Sequence, residues 1–355
     1  MNLDDLRKRI DSLDREIIEL IAERTSVTRQ IGDAKKDIGK PIEDKIRERK
    51  VLDHVRQMAE SKGLNPAEIE RIYQGIIAVS KEVQGVTVAF QGETGAYSEE
   101  AAYQFFGENA RLKACESLED VFSAVDRGET RYGIVPLENS LEGSITRTYD
   151  LLLDYDLKVC GEHKLRVVHS LIGLPETNLD AVREVYSHQQ ALGQCKTFLR
   201  QMGWKVIPSY DTAGSVKMIK DTHALHKAAI ASARSAEIYG MKVLKRGIED
   251  TVNNFTRFFV LSKQEAPPSG DDKTSIVFSV KHTPGALYDA LKEFSARKIN
   301  MTKIESRPTR QKPWEYNFYV DFDGHYQDES IKEALTALHN STINVKILGS
   351  YPRVK

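Results

Sequence analysis

The first part of the chain repeats apolar side chains in heptad steps, which predicts a long amphipathic helix. The repeat consists of Leu3, Leu6, Ile10, Leu13, Ile17, Leu20, Val27, Ile31 and Ala34. Because this spacing places its members on one helix face, we expect a helix to about residue 37. Arg24 occupies the seam between Leu20 and Val27, and Arg7 and Lys35 flank it. A cation on an apolar seam indicates either a site for an anion or a polar residue that sets helix pairing.

The spacing of these cations bears on how many copies would build one site. Residues from Pro41 to Gln84 predict two further helices, separated at Gly63-Leu64-Asn65-Pro66. Arg7 and Arg24 would stand about 25 Å apart along the first helix, which is too far for one small dianion. Arg24 and Lys35 can share a ligand, whereas Arg7 can join only from a second, antiparallel copy. The pattern therefore favours a helical dimer with mixed sites.

From Gly85 the pattern changes to short apolar runs that alternate with amphipathic segments. The predicted strands are Val86–Phe90, Tyr132–Pro136, Val167–Leu174, Glu184–Tyr186, Lys205–Ile207 and Ala228–Ala231. Helices between them predict an α/β domain with parallel strand pairing. Polar residues follow several strand ends, where open α/β sheets bind their ligands.

A proline- and glycine-rich segment, residues 264–273, predicts a linker before a third domain. After it the order is strand (Ser275–Val280), helix (Pro284–Arg297), strand (Met301–Arg307), strand (Glu315–Phe322), helix (Glu329–Leu338) and strand (Asn344–Leu348). This βαββαβ order is typical of the ferredoxin-like fold. We therefore predict three domains, 1–84, 86–263 and 274–355.

Composition narrows the classes of function. The 355 residues carry 51 Lys and Arg against 52 Asp and Glu, which argues against a broad nucleic-acid surface. No apolar run reaches the roughly 20 residues of a membrane span, and the N-terminus is too charged for a signal peptide. Three scattered cysteines, Cys115, Cys160 and Cys195, fit a reducing cytoplasm. The histidines lack zinc-site spacing, and we predict no metal.

The helical segment resembles an AroQ-type chorismate mutase, an all-helical dimer, over nearly all of its 84 residues. The resemblance implies that Arg7 of the partner protomer, Arg24 and Arg47 hold the two carboxylates of chorismate. It implies that Lys35 and Gln84 contact the ether oxygen, while Glu48, with Asp44 and Ser80, engages the hydroxyl side. A Claisen rearrangement requires no nucleophile or cofactor, only a compressed dianion and stabilised charge on the breaking C–O bond. Cations and one amide donor suit that task.

The middle segment resembles prephenate dehydratase over essentially its whole length. The matching pieces are Gly92–Ser98, Val135–Ser140, Ser187–Cys195 and Asn253–Phe258, the last containing the family's Thr-Arg-Phe signature. The resemblance implies two lobes around a cleft, like a periplasmic binding protein. Thr256 would lie at the reacting end, and the cleft would be lined by Glu138, Asn139, Ser187, Gln194, Thr212 and Ser215.

The dehydratase reaction needs an anchor for a carboxylate and a hydrogen-bond donor at the departing C4 hydroxyl. We expect Arg257 and the amides of the Gly92–Ser98 turn to anchor the carboxylate. Thr256 can donate to the hydroxyl, although an unperturbed hydroxyl is a poor general acid. The sequence does not identify the acid.

The C-terminal segment resembles an ACT domain of the phenylalanine-sensing kind. Its two signatures are Pro284-Gly285-Ala286-Leu287 at the first helix and Glu305-Ser306-Arg307-Pro308 at the end of the second strand. The resemblance implies that Gly285, Ala286, Leu287, Glu305, Ser306 and Arg307 bind phenylalanine. Bare amides at a helix N-terminus suit an amino-acid carboxylate.

Together these resemblances predict a bifunctional enzyme of phenylalanine biosynthesis, without cofactor, that acts on chorismate and prephenate. Phenylalanine would inhibit it allosterically, and the chain would form a homodimer or a larger homo-oligomer. A first alternative is a dehydratase that prefers arogenate. A second is a non-catalytic amino-acid sensor, in which Lys35, Gln84 and Thr256 would have no task.

Overall fold

The computed structural model describes residues 3–37, 45–84, 86–108, 110–309 and 314–354. It divides into two compact units, Met1–Val86 with Asn109–Arg111, and Thr87–Glu108 with Leu112–Lys355. No helix within the described ranges combines the length and the apolar character needed to cross a membrane.

The first unit consists of three helices, α1 (Leu3–Asp37), α2 (Lys45–Ser61) and α3 (Pro66–Gln84), as the sequence predicted. Gly63 adopts a positive φ of 70° after α2, a conformation that glycine reaches without steric cost. Asn65 then begins α3, because its side-chain oxygen accepts a hydrogen bond from the amide of Ala67 at 3.0 Å.

The apolar seam of α1 faces away from the core of its own chain. Six of its side chains are exposed, with 43% to 64% of their surface open to solvent: Leu6, Ile10, Leu13, Ile17, Leu20 and Val27. Val55 and Ala59 of α2 are buried. An apolar stripe of this length left open to water is typical of a helix that packs against another chain.

The second unit alternates strands and helices and then ends in a smaller α+β layer. In chain order its elements are β1 (Thr87–Gln91), α4 (Tyr97–Phe106), β2 (Arg111–Cys115), α5 (Leu118–Asp126), β3 (Tyr132–Asn139), β4 (Gly143–Ser144), α6 (Thr146–Asp154), β5 (Lys158–Arg166), β6 (Ser170–Gly173), a short 3₁₀ turn (Leu179–Ala181), β7 (Glu184–His188), α7 (Gln189–Gln194), α8 (Lys196–Met202), β8 (Lys205–Ser209), α9 (Thr212–Thr222), β9 (Lys227–Ala231), α10 (Ala233–Tyr239), β10 (Lys242–Arg246), β11 (Phe255–Ser262), β12 (Asp272–Ser279), α11 (Ala286–Ala296), β13 (Met301–Pro308), β14 (Tyr316–Asp323), α12 (Glu329–Ser341) and β15 (Asn344–Pro352).

Two sheets form the two predicted lobes of the α/β region. The first has the order β2-β1-β3-β11-β5, with β4 beside β3, and the second has the order β10-β6-β9-β7-β8. The chain crosses between the lobes twice, after β5 and after β10. The predicted parallel pairing joins β1 to β3, and β7 to β8 and β9. The sheets are nevertheless mixed, because β11 runs antiparallel to both β3 and β5, and β6 is antiparallel to β9 and β10. β11 must return from the second lobe, and this return brings residues 255–262 into the middle of the first sheet.

The last six elements form the predicted ferredoxin-like βαββαβ layer, with the sheet order β13-β14-β12-β15. One face of this sheet packs against α11 and α12 around Phe278, Phe294 and Phe322. The other face joins the core of the first lobe, where Tyr319 and Tyr351 lie buried among its side chains. The hydroxyl of Tyr319 donates to the carbonyl of Tyr149 at 2.8 Å. The two sheets therefore share one apolar core.

Candidate functional site

A cleft of about 490 Å³ lies between the two lobes of the α/β region. The first lobe contributes the turn after β1, the hairpin between β3 and β4, and one face of β11. The second lobe contributes the ends of β7 and β8 and the helices that follow them. Polar side chains thus gather at strand ends, as the sequence predicted for a sheet of this kind.

Thr256 lines the cleft and is held by Asn139. The side-chain amide nitrogen of Asn139 donates to Thr256 Oγ1 at 3.0 Å and to Asn254 Oδ1 at 2.7 Å. The Oδ1 atom of Asn139 accepts from the amides of Leu141 and Glu142, which fixes the hairpin. Because Thr256 accepts this hydrogen bond, its own hydroxyl hydrogen can point into the cleft.

A second group of side chains continues the hydrogen-bonded chain across the cleft. Asn254, which is fully buried, donates to Gln194 Oε1 at 2.7 Å, and His169 Nε2 lies 2.8 Å from the same oxygen. The single hydroxyl hydrogen of Tyr97 faces two acceptors, the carbonyl oxygen of Val168 at 2.9 Å and His169 Nδ1 at 2.9 Å. Since Gln194 Oε1 is an acceptor, His169 carries its hydrogen on Nε2 and accepts at Nδ1. Burial lowers the pKa of His169, so the imidazole is neutral at neutral pH.

Helix N-termini provide the positive potential of the cleft. Among the described residues that line it there is no lysine or arginine. The lining instead includes Tyr97 and Ser98 in the first turn of α4 and Thr212 in the first turn of α9. Amides in the first turn of a helix point outward without intrahelical partners and attract anions. This arrangement can bind a carboxylate without a cationic side chain.

The glycine turn contributes less to anion binding than the sequence predicted. The amide of Glu93 donates to Asp211 Oδ2 at 3.2 Å, and that of Gly95 donates to Glu99 Oε2 at 2.7 Å. The amides of Gly92 and Ala96 are also engaged with backbone carbonyls. The turn mainly joins the two lobes, since the Gly95 carbonyl accepts from two serine hydroxyls of the second lobe.

Four of the eight residues predicted to bind the dehydratase substrate line the cleft: Asn139, Gln194, Thr212 and Thr256. Ser187 and Ser215 do not. Ser187 is fully buried and donates to the carbonyl of Ile230 at 2.6 Å, because it lies on the inward side of β7. Ser215 is buried behind the first turn of α9 and donates to the carbonyl of Asp211 at 2.7 Å. Both serines support the wall of the cleft.

Arg257 and Glu138 are placed on the far side of the first sheet, away from the cleft. Along β11, Thr256 and Phe258 face the cleft, so Arg257 faces the ACT-like sheet. Its guanidinium bonds to Glu162 and Asp321, each at 2.7 Å, and to Glu138 at 3.2 Å. The expectation that Arg257 anchors a substrate carboxylate is therefore corrected, because these carboxylates already engage its donors.

Charge pairing on this far side outweighs the cost of burial. Burial alone would raise the pKa of Glu138, but the ammonium of Lys303 and the guanidinium of Arg257 hold that pKa below its ordinary value. Burial opposes ionisation of Glu162 in the same way, and Arg257 and Lys273 lower its pKa. Lys273 Nζ lies 2.9 Å from Glu162 Oε1. These carboxylates are ionised partners in a buried network.

The sequence reasoning missed Tyr97, His169 and Asn254 as members of the site. Tyr97 and Asn254 lie inside recognised motifs, but nothing in their spacing indicates a shared hydrogen-bond network. His169 follows the crossover from β5, where a lone histidine among apolar residues resembles an ordinary core position. Only contacts between residues 25 to 117 positions apart reveal the chain from Tyr97 to Thr256.

The residues predicted to bind chorismate are distributed over the three helices of the first unit. Arg7 lies on α1, exposed, with its guanidinium 3.6 Å from Asp4, and Arg24 is half-buried on the same helix. The backbone positions of Lys35, Arg47, Glu48, Ser80 and Gln84 fall within α1, α2 and α3. Asp44 lies outside the described residues. The roles of all eight stay predictions.

A second cavity, of about 370 Å³, lies at the start of α11 in the ACT-like layer. Ala286 and Leu287 line it, together with Trp314 and Phe318. Gly285 is the N-cap of α11, with a φ of 87° that favours glycine. Glu305, Ser306 and Arg307 lie on β13 and do not line this cavity, and the carboxylate of Glu305 instead accepts a hydrogen bond from Ser144 at 2.9 Å.

Comparisons with known proteins agree with all three resemblances. Family models match in order: chorismate mutase type II over residues 6–85, prephenate dehydratase over 88–266 and the ACT domain over 274–340. The bifunctional chorismate mutase/prephenate dehydratase of Aquifex aeolicus is 38% identical, over 99% of this chain and 98% of that protein.

Solved structures resemble the second unit. Prephenate dehydratase from Arthrobacter aurescens, in complex with L-Phe, is 31% identical with a TM-score of 0.70 and covers 76% of this chain and 90% of that one. A protein described as a novel type of quorum-quenching acylase is 33% identical with a TM-score of 0.71 and covers 76% and 98%.

Proposed function

The chain belongs to the family of bifunctional chorismate mutase/prephenate dehydratases, and we propose from this how its described residues serve the two reactions. The enzyme rearranges chorismate to prephenate, then decarboxylates and dehydrates prephenate to phenylpyruvate. Both steps belong to phenylalanine biosynthesis. The comparisons do not favour an arogenate-preferring enzyme or a non-catalytic sensor.

In the dehydratase cleft we assign the departing hydroxyl of prephenate to Thr256. Carbon dioxide leaves from C1, the electron pair of the breaking bond enters the ring, and the C4 hydroxyl departs as the ring becomes aromatic. A donor at that hydroxyl stabilises the negative charge that grows on its oxygen. Asn139 supports this assignment, since it occupies the acceptor side of Thr256 and leaves its hydrogen for the substrate.

The other carboxylate of prephenate is assigned to the helix N-termini. The first turns of α4 and α9 border the cleft, and their amides suit an anion. Pro136, Val167 and Phe258 give the cleft an apolar wall. A carboxylate placed against such a wall is poorly solvated, which favours its loss as neutral carbon dioxide.

The observation that carries the dehydratase proposal is the unbroken chain of hydrogen bonds from Thr256 to Tyr97 inside the cleft. The decisive experiment is a coupled assay that starts from chorismate and follows its disappearance and the appearance of phenylpyruvate. Conversion through to phenylpyruvate supports both assignments. Prephenate that accumulates without phenylpyruvate would contradict the dehydratase proposal, and a parallel assay with arogenate would then identify the substrate.

For the mutase we keep the assignment of Arg7 from a partner protomer, Arg24 and Arg47 to the carboxylates of chorismate, and of Lys35 and Gln84 to the ether oxygen. Asp44, Glu48 and Ser80 complete the site on the hydroxyl side. The exposed apolar stripe of α1 supports a homodimer, because a second copy would cover it and bring its own Arg7 to the site. Sedimentation that gives a monomer at assay concentration would contradict this arrangement.

Phenylalanine is the proposed allosteric inhibitor, bound at the ACT domain. The cavity at the start of α11 combines helix amides with the apolar side chains of Leu287 and Phe318, which suits an amino-acid carboxylate and an aromatic ring. A relative of 31% identity was solved in complex with L-Phe. Calorimetric titration of the whole chain with phenylalanine tests the site. A cytoplasmic location is supported by the three free cysteines.

A further inference from the structure

One hairpin of the first lobe touches both the dehydratase cleft and the ACT domain. Its two strands are β3 and β4, and Glu138 pairs directly with Ser144 in their register. The tip of the hairpin, residues 139–143, carries Asn139, Glu142 and Gly143, which line the cleft. Any displacement of this hairpin therefore moves Asn139 relative to Thr256.

Strand β13 of the ACT domain contacts the base of this hairpin through two side chains. The ammonium of Lys303 forms an ion pair with the carboxylate of Glu138. Two residues further along, Glu305 Oε2 accepts a hydrogen bond from Ser144 Oγ at 2.9 Å. Residues two apart on a strand face the same side, so both contacts come from one face of β13.

The contact between Lys303 and Glu138 is half-buried and continues into a buried cluster with balanced charge. The cluster contains three cations and three anions. The first lobe contributes Arg257, Glu138 and Glu162, and the ACT sheet contributes Asp321, Lys273 and Lys303. Glu138 is shared between Lys303 and Arg257, and the latter follows Thr256 directly in β11. Buried pairs of this kind have fixed geometry, since each charge lost would leave its partner desolvated.

From these contacts we propose that Lys303 and Glu305 are positioning residues for the dehydratase, through which the ACT domain sets the place of Asn139 and Thr256. β13 holds the hairpin through Glu138 and Ser144, and a shift of β13 on binding of the effector moves the cleft wall. The inference rests on the proposed role of phenylalanine as effector. The hairpin lines the cleft and contacts β13, so it connects the cleft to the ACT sheet directly.

The test uses the full chain with Lys303→Met, Lys303→Arg and, as a matched control, Lys332→Met, which lies exposed on α12. Three quantities are measured for each: phenylalanine binding by calorimetry, dehydratase rate with and without saturating phenylalanine, and mutase rate. We expect Lys303→Met to bind phenylalanine as the parent does but to lose about fivefold or more of its inhibition, with a change in KM for prephenate. Lys303→Arg should restore inhibition, and Lys332→Met should not alter it.

The outcomes separate this inference from the proposal on which it depends. If the parent protein neither binds phenylalanine nor is inhibited by it, the proposed effector role fails. If the parent is inhibited and Lys303→Met is inhibited equally, the positioning role is overturned. Loss of phenylalanine binding in Lys303→Met would also overturn it, because Lys303 would then act at the effector site. Mutase rate and the thermal midpoint show whether a variant is folded. Glu305→Ala is the second variant should Lys303→Met fail to fold, with the same expected loss of inhibition, because it removes the acceptor for Ser144 without changing a residue of the cleft wall.

Discussion

The side-chain amide of Asn139 donates to the hydroxyl oxygen of Thr256 over 3.0 Å, across 117 positions of sequence. This one contact sets both the orientation of the hydroxyl and the direction in which it can donate. It also links the hairpin after β3 to β11, an inner strand of the first sheet. The chemistry proposed for the dehydratase therefore lies at the junction of these two strands.

The first prediction concerns the hydroxyl of Thr256. Thr256→Val keeps the shape of the side chain but removes the donor, and we expect dehydratase kcat to fall about 10²–10³-fold, the range seen when one preorganised donor is lost. Thr256→Ser is the matched variant and should retain much of the rate. Mutase activity on the same sample should not change, since chorismate reacts in the other unit. An equal loss of both activities would indicate general damage to the fold.

The second prediction concerns the protonation of His169. Burial lowers its pKa below the ordinary value of 6.5, so the imidazole stays neutral through the neutral range. The unfolded chain takes up this proton first, and the folded state loses stability as pH falls through about 6.5. The folded protein takes up this proton only at the lowered pKa, so we expect the dehydratase rate to be level down to about pH 6.5 and to fall below it. Protonation places a positive charge at the cleft and turns Nδ1 from an acceptor into a donor towards Tyr97.

Nitrogen-15 NMR of the histidine side chains measures this titration directly. The neutral Nε2–H tautomer should still predominate in His169 at about pH 6.5, the ordinary histidine pKa, where a free imidazole is half protonated. His169→Gln should remove the acid limb of the rate profile. A His169 that is half protonated at or above about pH 6.5 would contradict the buried, neutral assignment.

The third prediction concerns the mutase. Lys35→Ala should cost about 2.7–4 kcal/mol of transition-state stabilisation if Lys35 donates to the ether oxygen, the cost of one lost donor to a developing oxyanion. Lys36→Ala is the matched control, because the neighbouring position turns by about 100° on a helix with 3.6 residues per turn. The rate of chorismate loss tests both variants. Equal loss of mutase rate in the two variants would contradict the role of Lys35 at the ether oxygen. Both variants should keep their dehydratase activity on added prephenate.

The architecture followed from the sequence further than the site did. Heptad spacing predicted the helices, and the order of strands and helices predicted the ferredoxin-like layer, because these signals are local. The local sequence does not indicate which side of the sheet each side chain of β11 faces. Thr256 and Arg257 are neighbours in one motif, yet on the pleated strand Thr256 faces the cleft and Arg257 faces Asp321. The position of β11 between β3 and β5 determines which of the two residues faces the cleft.

Strand β5 was missed for a related physical reason. β5 carries the charged residues Glu162 and Lys164, so it lacks the apolar run that marks a buried strand. Glu162 is nevertheless almost fully buried, because cations from two other segments of the chain neutralise it. Burial of a charge depends on partners that are distant in sequence, and no local pattern reveals them.

The last prediction concerns the stability of the joint between the dehydratase and ACT sheets. Glu162 is paired with Arg257 at 2.7 Å and with Lys273 at 2.9 Å, and these partners lower its pKa against the effect of burial. Removal of one partner from a buried pair costs about 3–5 kcal/mol, so Glu162→Gln should destabilise this unit by that order at pH 7. Glu119→Gln, at a solvent-exposed pair with Arg147, should cost about 0–1 kcal/mol.

The sign of the pH dependence follows from the lowered pKa of Glu162. The contribution of ionised Glu162 to the free energy of unfolding is complete above the ordinary glutamate pKa of about 4.3. It is lost as pH falls through the lower pKa of the folded state. Acid unfolding of the parent should therefore be steeper below about pH 5 than that of Glu162→Gln, which has no such proton to bind. Both tryptophans, Trp204 and Trp314, lie in the second unit, so their fluorescence during urea unfolding at several pH values reports on this unit. If the free energies of unfolding of the two proteins changed with pH in parallel, Glu162 would not be an ionised partner of Arg257 and Lys273.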